Sequence, residues 1–260
     1  ADAFQSTYSG CYFDEDTLTG NRDAFLAKYS ATGDLVWLRD IQCPGFPSVG
    51  PLVLDSANAV FYLIGSFQWN CVLDTCTVSS ALGGGVFLSK WNLDGHCLWA
   101  RTIATSGLPW GQDGVIAGGL VLDGNGELFV SLRGDPNGPC LADGQLMEAG
   151  TFFGKYNSNG DLLWLKPFTA ISGLQKSIEI VTLRYHQGRI YGHGPALINV
   201  ANDTTVVDTF QIVGRNGRGF ALVCLDPADG EADWFRLDGF PKGYSMYHAM
   251  DMDTIGHISV

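Results

Sequence analysis

The sequence predicts an all-β protein, a β-propeller built from four-stranded antiparallel blades. Two observations support this prediction. A phrase that begins with Phe and ends with Trp is written four times, and a pair of short apolar runs around a turn precedes each later copy. Tandem units of about 65 residues stack to bury their apolar faces, and units of four short strands are typical of propeller blades.

The repeated phrase predicts a β-hairpin, because short runs of aromatic and branched residues flank a Gly-containing turn. The copies are Phe25–Trp37, Phe87–Trp99, Phe152–Trp164 and Phe220–Trp234, so their tryptophans lie 62, 65 and 70 residues apart. The fourth copy is looser. In it Val223 takes the place of a lysine, and its turn is expected to be two residues longer.

The element before each later copy is also expected to be a hairpin, as where Leu52–Asp55 leads to Val60–Ile64. Two hairpins per repeat make a four-stranded meander. We therefore expect one propeller domain over residues 1–260, or a segment of a larger propeller. Its repeats are 250–260 together with 1–40, then 52–101, 120–166 and 181–236. The two chain ends would then share one blade, and both a four-bladed ring and a larger ring remain open.

Composition limits the classes of partner. A net charge of −12 leaves no excess of Lys or Arg for a phosphate backbone, so no nucleic-acid partner is expected. There is no run of 18 apolar residues, so no membrane insertion is expected. The seven cysteines favour an oxidising compartment. Cys71 and Cys76 are close enough in sequence to predict a local disulfide, whereas the other cysteines cannot be paired from sequence. No metal site is predicted.

The repeated phrase resembles the SBBP-type repeats, which are predicted β-propeller repeats of secreted and surface proteins of Bacteroidetes and other bacteria. Asp23-Ala24-Phe25, Lys28, Gly33 and Trp37 carry the resemblance best. It extends over nearly the whole chain. It implies an extracellular or cell-surface module with an adhesive or assembly role, within a larger chain or assembly in many cases.

The recurring charged residues are expected to be structural. Lys28, Lys90 and Lys155 recur in register, and a basic residue stands two positions after each tryptophan. Those residues are Arg39, Arg101, Lys166 and Arg236. Regular recurrence favours a role in the scaffold, at the edges of the blades.

A ligand surface is therefore expected in the loops outside the repeat frame. Three aromatic residues there are suited to stacking on a sugar or a partner side chain, and three polar residues accompany them. The candidates are Trp110, Gln112, Asp113, Tyr244, Tyr247 and His248. The alternative interpretation is that the aromatic residues fill a central channel.

The first functional interpretation is a non-catalytic binding, adhesion or assembly module whose partner is a protein or a surface glycan. A second is a secreted enzyme or lectin acting on glycans at the channel mouth, where Asp113, Asp251 and Asp253 could converge. A third is a structural subunit of a surface filament or secretion-associated assembly. The five histidines fall in no catalytic motif, so no catalytic residue and no cofactor are predicted.

Overall fold

A computed structural model describes most of the chain, with gaps. The described residues are 2–5, 11–13, 16–18, 24–45, 47–107, 114–134, 140–147, 150–168, 176–198, 204–207, 210–213, 217–240, 250–253 and 258–259. In this part of the chain the secondary structure is entirely β, and the strands pair antiparallel. The all-β class predicted from the sequence is confirmed.

The strands follow the four repeats. Repeat 1 contains β1 (Asp2–Gln5), β2 (Cys11–Phe13), β3 (Asp16–Leu18), β4 (Ala24–Tyr29) and β5 (Leu35–Gln42). Repeat 2 contains β6 (Ser48–Asp55), β7 (Val60–Leu73), β8 (Cys76–Asn92) and β9 (Cys97–Ser106). Repeat 3 contains β10 (Ile116–Leu122), β11 (Leu128–Gly134), β12 (Cys140–Ala142), β13 (Gln145–Met147), β14 (Gly150–Tyr156) and β15 (Leu162–Pro167).

Repeat 4 contains β16 (Lys176–Ile178), β17 (Thr182–His186), β18 (Arg189–Ile198), β19 (Thr204–Val207), β20 (Phe210–Val213), β21 (Gly217–Leu225) and β22 (Ala232–Phe240). The last hairpin is β23 (Asp251–Met252) with β24 (Ile258–Ser259). Three four-stranded meanders follow the repeat period. They are β6-β7-β8-β9, β10-β11-β14-β15 and β17-β18-β21-β22. Both predicted hairpins are therefore present.

The chain divides into two compact units. Unit 1 contains Ala1–Ala117 and Asn137–Met147, and unit 2 contains Gly118–Pro136 and Glu148–Val260. In unit 1 β4 pairs with β1 on one side and with β5 on the other, whereas β23 and β24 form a two-stranded sheet of their own in unit 2. That the two chain ends share one blade stays a prediction.

Each repeat also has a third hairpin, between its second and third long strands, which the sequence analysis did not predict. It is β2–β3 in repeat 1, the outer part of β7–β8 (Asn70–Ser79) in repeat 2, β12–β13 in repeat 3 and β19–β20 in repeat 4. In repeats 2 and 3, where the structure describes the turn, it has two residues and begins with Asp. Asp74 and Asp143 have φ angles of 56° and 45°, a left-handed conformation that Asp tolerates better than most residues.

Aromatic residues form the centre of each unit's core. In unit 1 the rings of Trp37, Phe61 and Trp91 stack in a row, with centroids 6.4 and 6.0 Å apart. In unit 2 Phe168 makes edge contacts with two other Phe rings, at 5.3 and 5.6 Å. Strand residues alternate between the two faces of a sheet, so these rings meet on the inner faces of the meanders and position the rest of each repeat.

Candidate functional site

The recurring Lys, Trp and Arg side chains of repeat 1 bind the final turn of repeat 2. Lys28 Nζ and Trp37 Nε1 both donate to the Leu93 carbonyl, at 2.9 and 3.1 Å. Arg39 donates to two further carbonyls of the same turn. A Cβ on Gly95 would lie only 3.0 Å from the Trp37 ring. We call these three side chains the inter-repeat clamp, because they give the turn carbonyls of the next repeat their hydrogen-bond donors.

Unit 2 repeats the clamp. Lys155 Nζ donates to the Pro227 carbonyl at 3.0 Å, in the final turn of repeat 4. The Trp164 ring covers Gly230 of that turn so closely that a Cβ there would lie 2.7 Å from it. The prediction that these recurring residues are structural therefore agrees with their contacts in both units.

In the fourth repeat the lysine position is held by Cys224, which corrects the alignment made from sequence. Cys224 pairs with Trp234 across the hairpin as Lys28 pairs with Trp37, whereas Val223 is fully buried in the core. The turn closed by Asp226 is therefore one residue longer than its counterparts, not two. Matching the Phe residues by sequence shifted the strand by one position, which exchanges its two faces.

Cys224 is a buried, neutral thiol. Burial is the main cause that raises its pKa to about 11, and the neighbouring Asp233 carboxylate adds to the effect. Cys224 Sγ donates to Asp233 Oδ2 at 3.9 Å, and Arg189 Nε lies 2.6 Å from the same oxygen. This pKa places the thiol among structural cysteines rather than reactive ones.

The predicted Cys71–Cys76 disulfide is wrong. Cys71 is bonded to Cys43, and Cys76 is bonded to Cys97, with Cα–Cα distances of 4.3 and 6.0 Å. The register of the third hairpin explains the error, because Cys76 lies opposite Leu73 and is therefore a diagonal neighbour of Cys71. Diagonal neighbours are about 7–8 Å apart, which is beyond the usual reach of a disulfide.

Both disulfides attach the third hairpin of repeat 2 to its surroundings. Cys71, on one arm, is bonded to Cys43, which follows the last strand of repeat 1. Cys76, on the other arm, is bonded to Cys97 at the start of β9. The backbone N–H of Cys97 also donates to Asp74 Oδ2 in the hairpin turn, at 3.1 Å. This hairpin is therefore fixed to two neighbouring strands by covalent bonds.

Trp69 stands at the base of this crosslinked hairpin and is the strongest candidate for a binding residue. Its side chain is 55 % exposed, although tryptophan is usually largely buried. Its φ is +59°, an outlier for a bulky residue, and it lies in a bulge where Gln68 pairs with Gly84 but Asn70 pairs with Ser79. Strained backbone of this kind costs about 1–3 kcal/mol and clusters at functional sites.

The segments around Trp69 carry almost no charge. Between Asp40 and Lys90 the only charged residues are Asp55 and Asp74. Asp55 is buried and accepts hydrogen bonds from Asn58, and Asp74 is held in the hairpin turn. The exposed side chains of these segments include amides, hydroxyls and the aliphatic groups of Val72 and Leu82.

The six candidates named from the sequence lie outside the residues that the structure describes. They are Trp110, Gln112, Asp113, Tyr244, Tyr247 and His248. Their role in binding stays a prediction, and Trp69 is a residue that the sequence analysis missed. Its position in the sequence could have indicated it. Trp69 lies outside the repeated phrase and two residues before Cys71, which together with Cys76 flanks the turn at Asp74.

The described residues contain no group of three or more His, Cys, Asp or Glu side chains that could hold a metal ion. His186 and His193 lie toward opposite ends of the β17–β18 ladder, since His186 pairs with Arg189 and His193 pairs with Thr182. No helix able to cross a membrane occurs in the same described part of the chain.

Comparison of the chain with protein-family models and with curated proteins gives no match. The resemblance to SBBP-type repeats therefore stays a prediction.

Proposed function

We propose that this protein is a non-catalytic extracellular or cell-surface β-propeller that serves as a binding and adhesion module, with Trp69 as its contact residue. The observation that carries the proposal is the contrast between Trp69 and the recurring tryptophans. Trp37 and Trp164 contact turns of the next repeat, whereas Trp69 is exposed and has no counterpart in the repeated phrase.

The propeller arrangement is supported by the meanders and the clamps. Three four-stranded antiparallel meanders follow the repeat period, and in each unit one repeat is clamped to the next through the same strand position. A regular contact between successive four-stranded units is what a ring of blades requires.

An extracellular setting is supported by the disulfides. Structural disulfides persist in oxidising environments, and both described bonds connect elements of the β-scaffold. They also hold the Trp69 hairpin rigid before any partner binds. A rigid aromatic contact loses little conformational entropy on binding, so this arrangement favours recognition.

The binding role is tested by Trp69→Gly. Glycine adopts φ +59° without strain, and this relief offsets the larger conformational entropy of glycine in the unfolded chain, so the variant should fold with a stability close to that of the wild type. The fluorescently labelled wild-type chain is incubated with intact bacterial and animal cells, and bound protein is measured by flow cytometry. We expect Trp69→Gly to lose most of the binding.

The control is Leu146→Ala, which removes another exposed apolar side chain from a third hairpin. It should bind as the wild type does. Equal binding by wild type and Trp69→Gly would overturn the proposed role of Trp69, as would a large loss of stability in Trp69→Gly, which would show that the side chain belongs to the core.

The propeller is tested separately by small-angle X-ray scattering. A closed, compact ring of 260 residues has a radius of gyration of about 18 Å. A markedly larger value would show that the repeats form an open array.

A further inference from the structure

From the surroundings of Trp69 we infer that its ligand is an uncharged glycan, whose pyranose ring stacks on the exposed indole. This inference rests on the proposed binding function and names the class of ligand. Pyranose rings present an apolar C–H face and a rim of hydroxyl groups. A site for them therefore needs an exposed aromatic face next to neutral hydrogen-bonding groups.

The charge pattern of the segment that carries Trp69 argues against an ionic ligand. An anionic ligand requires Lys or Arg, and neither residue occurs between Asp40 and Lys90. A cationic ligand requires accessible carboxylates. Asp55 is only 5 % exposed, and Asp74 accepts from the Cys97 N–H and lies 3.5 Å from His96 Nδ1. The segment therefore offers no charge to an ionic group.

The neutral polar groups that a sugar requires are present beside Trp69. Asn70 follows it in the strand and pairs with Ser79 across the hairpin, and both side chains are exposed. Thr77, also exposed, lies two residues from Ser79 and therefore on the same face of the hairpin. Amide and hydroxyl groups both donate and accept hydrogen bonds, as sugar hydroxyls do.

The contact of the indole with Gly83 and the crosslinked hairpin beside it also favour a stacking role. Gly83 lies against the ring, because a Cβ built there would be 3.6 Å from it. The disulfides at Cys71 and Cys76 fix the two arms of the hairpin that follows. The indole is thus held as a fixed, flat surface rather than as one wall of a mobile loop.

A proline-rich peptide is the competing ligand, since proline also stacks on tryptophan. Grooves for such peptides are lined by several aromatic side chains. Among the large apolar residues that the structure describes as exposed, Trp69 and Tyr29 are the only aromatic ones, and Tyr29 belongs to β4 of repeat 1. Its exposed apolar neighbours Val72 and Leu82 are aliphatic, so the segment offers one aromatic ring rather than an aromatic groove, and this fits a sugar better than a proline-rich peptide.

The test is an array that carries neutral glycans, sialylated and sulfated glycans, and proline-rich peptides. It is probed with the wild-type chain, Trp69→Gly, Trp69→Phe and the control Leu146→Ala. We expect the wild type and the control to bind neutral glycans. Trp69→Gly should lose about tenfold or more of the affinity, and Trp69→Phe should keep part of it, because a smaller ring still stacks.

The outcomes separate this inference from the function on which it rests. Binding that depends on Trp69 but is confined to peptides or to anionic glycans overturns the glycan inference and leaves the binding function standing. Absence of any binding that depends on Trp69, on the array and on cells alike, overturns both.

Discussion

The two units of the chain use the same repeat but differ in how they are held together. In unit 1 two disulfides connect the third hairpin of repeat 2 to β5 and β9. In unit 2 the described residues are tied by ion pairs instead, and the one described cysteine is a thiol. Both units have the inter-repeat clamp, so they differ in the interactions that supplement it, which are disulfides in unit 1 and ion pairs in unit 2.

The crosslinks of unit 1 are additional to the contacts that both units share, and they lie at the hairpin next to Trp69. Unit 2 builds the same meander without a described disulfide, so the scaffold does not need one. The crosslinks of unit 1 converge on the hairpin next to Trp69, whose strained backbone raises the free energy of the folded state. Disulfides offset such costs by restricting the unfolded chain.

The largest effect is expected from removing the crosslink between repeats 1 and 2. In Cys43→Ala/Cys71→Ala, loss of a bond that spans 28 residues should lower the free energy of unfolding by about 3–4 kcal/mol. Urea unfolding measures the loss, and hydrogen exchange should place it in unit 1. Cys140→Ala is the control, because it replaces a buried cysteine that belongs to neither of the two described disulfides. A similar loss in both variants would show that packing, not the crosslink, matters.

The next effect should come from the clamp of unit 2. Lys155 Nζ bridges the Pro227 carbonyl and Glu127 Oε2, at 3.0 and 2.6 Å, and its side chain is only 12 % exposed. Lys155→Met leaves both partners without their donor, so we expect a loss of about 2–3 kcal/mol.

Lys28→Met is the matched variant in unit 1. Its carbonyl partner Leu93 still receives the Trp37 N–H, so a loss of about 1 kcal/mol is expected in urea unfolding. If the two variants lost equal free energy of unfolding, this would show that the retained Trp37 hydrogen bond and the nearby disulfide do not reduce the cost of losing Lys28.

A further disulfide can be introduced between β9 and the third hairpin of repeat 3. Cys140 pairs with Ser106, and the third-hairpin register makes this pair equivalent to Cys71 and Cys43. Ser106→Cys should therefore form a bond with Cys140, detectable by mass spectrometry without reductant. The expected gain is about 1–2 kcal/mol, because Ser106 Oγ also accepts from the Val115 N–H and the variant loses that acceptor.

The control for this variant is Thr105→Cys, which lies opposite Leu141 and has no thiol across the ladder. It should remain reduced. Crosslinking at position 105 but not at 106 would contradict the proposed equivalence of the two hairpins.

The smallest effect concerns the thiol of unit 2 at alkaline pH. The folded-state pKa of Cys224 is raised from 9.0 to about 11 by burial and by Asp233. The folded state therefore keeps a proton that the unfolded state releases, and its stabilising contribution is full below pH 9 and is lost as pH rises toward 11. Cys224→Ala should flatten this decline in urea unfolding between pH 8 and 11. An unchanged profile would assign the decline to other groups.

Much of the fold could be predicted because turns and strands leave patterns that span only a few residues of the sequence. Gly33, Gly95 and Gly160 mark tight turns, and their flanking runs alternate as strands do, so both hairpins of each repeat were found. The third hairpins were missed because their strands are short, and even the Asp143-Gly144 turn was overlooked, although Asp-Gly is a strong hairpin signal. An Asp between the two short strands of each copy was the available clue in the sequence.

The candidate site could not be predicted to the same degree. The sequence position of Trp69 marks it only as lying outside the repeated phrase, whereas the strand pairing shows that the strand bulges there and leaves its indole exposed. The disulfide prediction was wrong for a related reason. Cys71 and Cys76 are close in sequence, but pairing across a hairpin depends on register, and a two-residue turn made them diagonal neighbours.

By itself the sequence determined the all-β class, the repeat period and which residues belong to the scaffold, because periodicity and turn residues act over a few positions of the chain. Only the tertiary structure decided which cysteines form disulfides, that Cys224 takes the place of the recurring lysine, and that Trp69 is exposed. Those features depend on which strands lie side by side and in what register. A shift of one residue there exchanges the buried and exposed faces of a strand.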